Sequence, residues 1–468
     1  MLLGLPPENG CHQENPAPVR ILFAAHQFFP EHRAGTEVLT LGLARAMRVR
    51  GHEARVFAAK RSVPATDLPA GGVEDYDFEG VPVRRIGRPK ESLSRPFRLN
   101  YANPDMAGAF SDYLRDFCPE IVHFMHLQGL SADAVPVARA SGVPIVYTAT
   151  DFWAVCPVVD LRRHDGEMCS GPDPGHCLRC LASRQPASRL ARLAEHTPAP
   201  VLRAADALSR VSRLPKLLPL RQVRDLSERP AYIRERVNSL DRVIAPTRLT
   251  RDLLVRNGVR PELVEVSHYG IDTSNVAPSR RDEGSSPDFR FGFIGTLGPH
   301  KGCDLLVRAV RSLPRRMDVS LDIYGSDRGF EGFEAKLRRL AGDDVRISFL
   351  GTFPPEGIGD VLADMDALIV PSRWYENTPL VVYAAFAAGV PVVATDLGGL
   401  SEVVEHEKNG LLFPLEDASE LARCLERLAR ELGLLGRLRG GIGPVKTIEE
   451  NAEELLALYN SLVKRGTP

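Results

Sequence analysis

Three stretches of this sequence place glycine, small polar residues and a charge where an apolar run gives way to a helical pattern. In "GTLGPHKGCDLLVRAV" Gly295, Lys301 and Gly302 precede a helix expected to begin near Cys303. Exposed amides at a helix start, a glycine that permits close approach and a lysine together make an anion site suited to phosphate. The same composition also serves as a plain tight turn, so this stretch alone leaves both readings open. In "HQFFPEHRAGTEVLT" Gly35 and Thr36 open a second helix. In "PSRWYENTPLVVYAAFAAG" Glu376, Asn377 and Thr378 precede a third, expected to start near Pro379. A lone carboxylate there stands at the mouth of a helix that carries no charge. Three such turns argue together for one anion-binding site.

A second constellation is "CPVVDLRRHDGEMCSGPDPGHCLRC", in which Cys156, Cys169, Cys177 and Cys180 have C-x12-C-x7-C-x2-C spacing. In a reducing compartment the terminal C-x2-C favours four thiolates around zinc, at Zn–S distances of about 2.3 Å, over unlinked thiols. His164 and His176 are spare ligands. An iron–sulfur cluster suits the same ligands chemically, but nothing here implies electron transfer. The expected role is to stiffen a loop beside the cleft, not to perform chemistry. Cys11, Cys118, Cys303 and Cys424 are scattered and read as tail or packing residues. "DMD" at Asp364–Asp366 reads as a solvated helix-to-strand turn, not as a metal site.

The elements that must hold these residues follow from periodicity. The chain has 468 residues, too many for one core. "VRILFAAHQFF", "EARVFAA", "IVHFMHL" and "PIVYTAT" are apolar on both faces and alternate with amphipathic stretches, the mark of parallel strands covered by helices. A polar, turn-rich stretch from Ile271 to Pro287 reads as a linker. The alternation then resumes with "FRFGFIGTL", "VSLDIYG", "VRISFLG", "DALIVPS" and "VPVVATDLGG". Two doubly wound α/β domains are expected, with ligands beyond the carboxyl ends of their strands in a shared cleft. The expected divisions are a tail over 1–17, a first domain over 18–275, a second over 286–445 and a C-terminal helix over 446–468. The first domain carries the cysteine loop at 156–180 and an Arg-rich insert at 181–236.

That insert joins Leu190, Leu193, Leu202, Leu208 and Val211 to Arg184, Arg189, Arg192, Arg203, Arg210 and Arg213. Such a surface suits peripheral contact with an anionic membrane, but its prolines favour short helices in a solvated hairpin packed on the domain. Net charge of -1 gives no field for nucleic acid. No apolar run is long enough to cross a membrane, and the start lacks the pattern of a secretory leader. The expected location is cytoplasmic, at most peripheral to the membrane, with reduced cysteines. His123 alternates with His126 along one strand, which ordinary buried packing also explains.

With the motifs in place, the second domain resembles the retaining, nucleotide-sugar-dependent glycosyltransferases of the GT-B fold, family four. The matching pieces are "IGTLGPHKGCDLL", "RISFLGTFPPEGIGDVLADMDALIVPSRWYENTPLVV", "AAGVPVVATDLGGLSEVV" and "NGLLFP". The first domain is similar to the same family in "FFPEHRAGTEVLTLGLARAMRVRGHE", "PEIVHFMHLQGLS" and "TATDFWAVCP". The resemblance implies that Glu376 contacts hydroxyls of the donor sugar, that Asn377, Thr378, Pro379 and Leu380 form the turn whose N–H groups hold its phosphates, and that Lys301 neutralises the diphosphate. It places Asp151 with Glu376 and Lys301 as catalytic, and Gly35, Thr36, His126, Thr150, Gly295 and Thr296 around the substrates. Fixed cations and amides stabilise the leaving group without a catalytic metal. The implied donor is a nucleotide-diphosphate sugar, and the acceptor a glycan or lipid-linked molecule of the cell envelope or an exported polysaccharide. Base recognition is expected near Gly325 and Gly351–Phe353.

Three positions depart from the family pattern. The second glutamate, eight positions after the first, is Ala384 here; Thr296 stands where arginine is frequent, and Thr150 where histidine is. A hydrogen bond to a charged group is worth about 1.5–3 kcal/mol, so altered donor contacts or weakened activity follow. A donor lacking the ribose 2'-hydroxyl, such as a deoxythymidine diphosphate sugar, suits a site without the second carboxylate. A GT-B nucleotide-sugar isomerase and a non-catalytic partner protein are the competing functions.

Overall fold

The computed structural model describes residues 18–61, 68–89, 95–184, 197–209, 218–281 and 288–465. The tail with Cys11, part of the linker, and Arg189, Leu190, Arg192, Leu193, Arg210, Val211 and Arg213 of the insert lie outside these residues, as do the side chains of Leu202 and Arg203.

Two sheets carry the molecule. The first contains β1 Arg20–Ala25, β2 Glu53–Arg61, β3 Val73–Phe78, β4 Val81–Arg88, β5 Ile121–Phe124, β6 Ile145–Thr148, β7 Arg242–Ala245 and β8 Val264–Val266, in the order β3-β4-β2-β1-β5-β6-β7-β8. Only β3 runs antiparallel, against β4. The second contains β9 Phe289–Ile294, β10 Val319–Tyr324, β11 Ile347–Gly351, β12 Ala367–Val370, β13 Val392–Thr395 and β14 Gly410–Phe413, in the order β11-β10-β9-β12-β13-β14, all parallel. Alternation within single strands shows why the sequence reads as apolar on both faces. Ile21, Phe23 and Ala25 enter one core and Leu22 and Ala24 another; Ala367 and Ile369 face away from Leu368 and Val370 in the same manner. The expected pair of doubly wound α/β domains is what forms.

Strand order fixes where a site can be. It reverses between β1 and β5 in the first sheet and between β9 and β12 in the second. A crevice opens at such a switch point because the loops on either side diverge. The sequence-marked turns follow β1, β9 and β12, three of the four strands that flank these crevices.

The insert and the turn before β12 differ from expectation, while the expected C-terminal helix forms. The insert does not consist only of short helices: Ala199–Ser209 is followed by a 20-residue helix, Leu218–Val237, with Pro230 inside it. Tertiary anchors hold that helix against the proline. Gln222 Oε1 accepts from Phe97 N–H at 2.7 Å, Asp225 Oδ2 accepts from Arg98 N–H at 3.0 Å, and the buried Arg229 lies 4.7 Å over the Trp153 ring. These helices pack on each other and on Pro174–Ser183, as a hairpin on the domain does. The helix Ile448–Arg465 returns to the first domain, where Ala452, Leu455, Tyr459 and Leu462 join the core around β1. His123 belongs to that junction. Its Nε2 is 2.7 Å from Thr148 Oγ1, its Nδ1 meets Tyr459 Oη, and burial pulls its pKa down to about 3. Finally, Asp366 is not solvated. It is buried, accepting from Arg290 N–H at 2.8 Å and from Arg281 Nε at 2.9 Å, which makes it a structural anchor. Among the described residues no helix is long and apolar enough to cross a membrane.

Candidate active site

The turn after β12 carries the acid. Ser372, Trp374 and Glu376 recur at every second residue, and the first two aim donors at the third. Glu376 Oε1 accepts from Ser372 Oγ at 2.6 Å, Trp374 Nε1 at 2.8 Å and Lys301 Nζ at 2.7 Å. Glu376 is not the exposed turn residue that its place in the sequence suggests; it is only 8% exposed. Burial pushes its pKa up, but attraction to Lys301 and these hydrogen bonds outweigh that and hold it below the ordinary carboxylate range. The acid is ionised and fixed. Lys301 also lies 5.1 Å from the centre of the Trp374 ring. His300 packs between Trp374 and Phe330, and burial with Lys301 alongside lowers its pKa to about 4, so it stays neutral.

Lys301 reaches Glu376 because two backbones touch. At Gly302, φ is +70° and an added Cβ would sit 1.8 Å from Pro371 O. Only glycine fits this approach. Arg373 fastens the same seam, with its N–H donating to His300 O at 2.8 Å and its guanidinium to Asp304 at 2.6 Å. Gly295 is different: its nearest neighbour to an added Cβ is Phe293 at 3.6 Å, an ordinary contact. Thr296 is exposed beside it. Gly295, Gly325 and Gly351 form a row at the strand ends, linked by Gly325 N–H donating to Gly351 O at 2.7 Å. Tyr324 and Phe353 meet edge to face there, 5.5 Å apart.

The first domain meets this turn directly. Asn377 Nδ2 donates to Ala149 O at 2.8 Å, and its Oδ1 accepts from Thr250 Oγ1. An added Cβ on Gly35 would lie 3.6 Å from Leu380 Cδ1, so the β1 turn touches the start of the helix Leu380–Ala387. Thr36 is the next residue of the helix Gly35–Val49; Thr378 and Pro379 complete the turn, with Pro379 as N-cap. Two residues beyond Ala149 stands Asp151. His126, fully buried, lies with Nε2 2.6 Å from Asp151 Oδ2. Gln128 N–H donates to His126 Nδ1 at 2.9 Å, which fixes the tautomer: the Nε2 proton is the one donated to Asp151. Trp153 N–H donates to the other Asp151 oxygen at 2.8 Å. Thr150 is occupied elsewhere, donating to Met125 O at 2.8 Å.

Several neighbours were not legible as site residues. The His26 ring lies 4.2 Å from the His126 ring, tilted by 40°, and its Nε2 is 3.7 Å from Oε1 of the fully buried Glu37. Burial lowers the pKa of His26 and raises that of Glu37. Ser372 and Trp374 carry the alternation signal described above, but their donors identify themselves only once Glu376 is seen to be buried.

Ala384 is 5% exposed and packs among Val370, Val382 and Phe386. The four cysteines lie near one another: beyond burial, Cys156, Cys180 and Cys169 push the Cys177 thiol up. Cys156, Cys177 and Cys180 are buried in the first domain's core, with Cys169 packed against it. Among the described residues no three of these sulfurs lie within 4.8 Å of one another; the set that does is His164, Asp165 and His176.

Two family models match in tandem: glycosyl transferase 4-like domain over residues 34–214, and glycosyl transferases group 1 over 288–431. The chain is thus similar to glycosyltransferases through both of its domains, the first by one model and the second by the other. A D-inositol 3-phosphate glycosyltransferase of Streptomyces bingchenggensis is 35% identical over 44% of this chain and 49% of its own. One of Pseudarthrobacter chlorophenolicus is 29% identical over 84% and 81%. The chain spans about half the length of several of the curated relatives it matches. Among solved structures, Anabaena HepE in complex with UDP and glucose superposes with TM-score 0.63 at 18% identity, over 95% of this chain and 100% of that one. Sucrose-phosphate synthase of Thermosynechococcus elongatus gives TM-score 0.61 at 18% identity, over the same shares. The chain therefore has the GT-B fold, with its sequence-marked turns gathered where the two domains touch.

Proposed function

We propose that this chain transfers a glycosyl group from a nucleotide-diphosphate sugar to a hydroxyl acceptor, with retention and without a catalytic metal. The observation that carries the reading is the Lys301–Glu376 pair beside the amide turn Asn377–Leu380, with His126–Asp151 two residues from the point where that turn meets the first domain. Departure of a nucleoside diphosphate needs positive charge at its oxygens, which the Lys301 ammonium and helix-start amides supply in fixed positions. Glu376, ionised and immobile, offers acceptor oxygen to sugar hydroxyls. Asp151, held by His126 and the Trp153 amide, is a second oriented carboxylate on the acceptor side.

The relatives named D-inositol 3-phosphate glycosyltransferase support glycosyl transfer, and HepE in complex with UDP and glucose supports a nucleotide-sugar donor. The proposed acceptor is a glycan or lipid-linked hydroxyl of the cell envelope or an exported polysaccharide, reached from the cytoplasm or at the membrane surface. A weakly active or inactive partner protein is the second reading, favoured by Ala384 inside an apolar cluster.

A thermal-shift panel of uridine, guanosine, adenosine and deoxythymidine diphosphates, each beside its monophosphate, tests donor recognition. One diphosphate is expected to raise the unfolding midpoint clearly more than its monophosphate, since the added phosphate meets Lys301. Equal shifts for both, or none for any, count against the site.

A further inference from the structure

Two imidazoles in the loop after Asp151 have buried ring nitrogens with no hydrogen-bond partner, His164 Nδ1 and His176 Nδ1. One ligand atom from each of His164, Asp165 and His176 lies within 4.8 Å of the others, and the two rings are 6.4 Å apart between centres. The backbone presents them from two directions. His164 and Asp165 are the central residues of a tight turn in which Gly166 N–H donates to Arg163 O at 2.9 Å. That turn closes a small hairpin, with Arg163 N–H donating to Glu167 O at 2.8 Å and Arg162 bridging Met168. His176 stands in the first turn of the helix Pro174–Ser183, its amide donating to Asp173 Oδ1 at 3.0 Å.

We propose that this loop binds one zinc ion through His164, His176 and Asp165, pinning the hairpin tip to the helix. Two imidazole nitrogens and a carboxylate oxygen are a zinc donor set at bonds of about 2.0–2.2 Å, which puts ligand atoms about 3.4 Å apart on a tetrahedral ion. Small side-chain rotations close the present spacing. Asp165 must exchange its 3.7 Å approach to Arg163 Nε for the ion, and its exposure leaves the fourth coordination position to water. The hairpin pinned in this way also carries Arg162, whose Nη2 donates to Glu416 Oε1 of the second domain at 2.9 Å. Glu416 faces Arg373 at 3.6 Å, three residues before Glu376. The ion thus steadies a clamp across the cleft next to the donor-side turn.

The test uses the full chain, prepared without chelator and free of any polyhistidine tag. Metal analysis after zinc addition and dialysis is expected to find about one zinc per chain. His164→Gln with His176→Gln is expected to remove it, while Cys177→Ser with Cys180→Ser retains it. Cobalt exchanged into the wild type is expected to show no thiolate-to-cobalt charge-transfer band. Zinc retained by the double-histidine variant, no zinc in the wild type, or a thiolate band lost with the cysteines overturns the proposal; the last result assigns the ion to the sulfurs.

Discussion

Lys301→Ala is expected to lower glycosyl transfer about a hundredfold or more and to make the protein less stable as pH rises towards neutrality. Loss of a donor aimed at developing charge in a transition state typically costs about 2.7–4 kcal/mol, and the proposed mechanism assigns Lys301 Nζ to the leaving diphosphate. The stability effect comes from what it leaves behind. Glu376 is buried and keeps only the neutral donors Ser372 and Trp374. In the wild type its folded-state pKa is depressed, so its contribution is fully present above the unfolded value and lost as pH falls through the folded one. Without the lysine, burial prevails and the folded pKa rises above the unfolded value, so the variant's stability is lost as pH rises between the two. Both slopes widen the gap between variant and wild type in the same direction. Denaturant titrations are expected to show little difference near pH 3 and about 1–3 kcal/mol at pH 7. A gap that does not depend on pH would dissociate Lys301 from the ionisation of Glu376.

Gly302→Ala is expected to damage both fold and activity, while Gly295→Ala has little effect on either. At position 302 a side chain must adopt φ near +70° and meet Pro371 O at 1.8 Å. The backbone conformation alone costs about 1–2 kcal/mol, and the collision forces the seam between the two turns apart. Lys301 and Ser372, the neighbours of the colliding residues, both bond Glu376, so separation takes two of its three donors out of register. A fall of at least about 2 kcal/mol in the stability of the second domain is expected, with donor affinity reduced in the fraction that still folds. At position 295 the nearest neighbour is an aromatic edge at 3.6 Å. Similar behaviour of the two variants in melting and donor-binding measurements would contradict this division.

The contrast between these glycines shows how far the sequence could be read. Runs that are apolar on both faces, such as Arg20–Ala25 and Ala367–Val370, give the doubly wound domains because no other common element buries successive residues on opposite sides. The place of the turns after β1, β9 and β12 is equally legible. Which glycine is sterically required is not, since the requirement at Gly302 comes from a carbonyl 69 residues away in the chain. The burial of Glu376 was hidden for the same reason: its main partner, Lys301, arrives from a different strand. His126 and Asp151 follow the adjacent strands β5 and β6, so their contact depends on sheet order, which periodicity does not encode. The return of Tyr459 to His123 spans 336 residues, and local pattern carries no trace of it.

The central claim is that the Lys301–Glu376 turn activates a nucleotide-diphosphate sugar. The most direct measurement is cleavage of a panel of such donors by the full chain without acceptor and without added magnesium or manganese, compared with Lys301→Ala. The expected result is slow release of nucleoside diphosphate from one donor, the free sugar first appearing with the donor's anomeric configuration, and a rate at least tenfold lower in the variant. No cleavage of any donor, a rearranged sugar still attached to its nucleotide, or equal rates in the two proteins would contradict it.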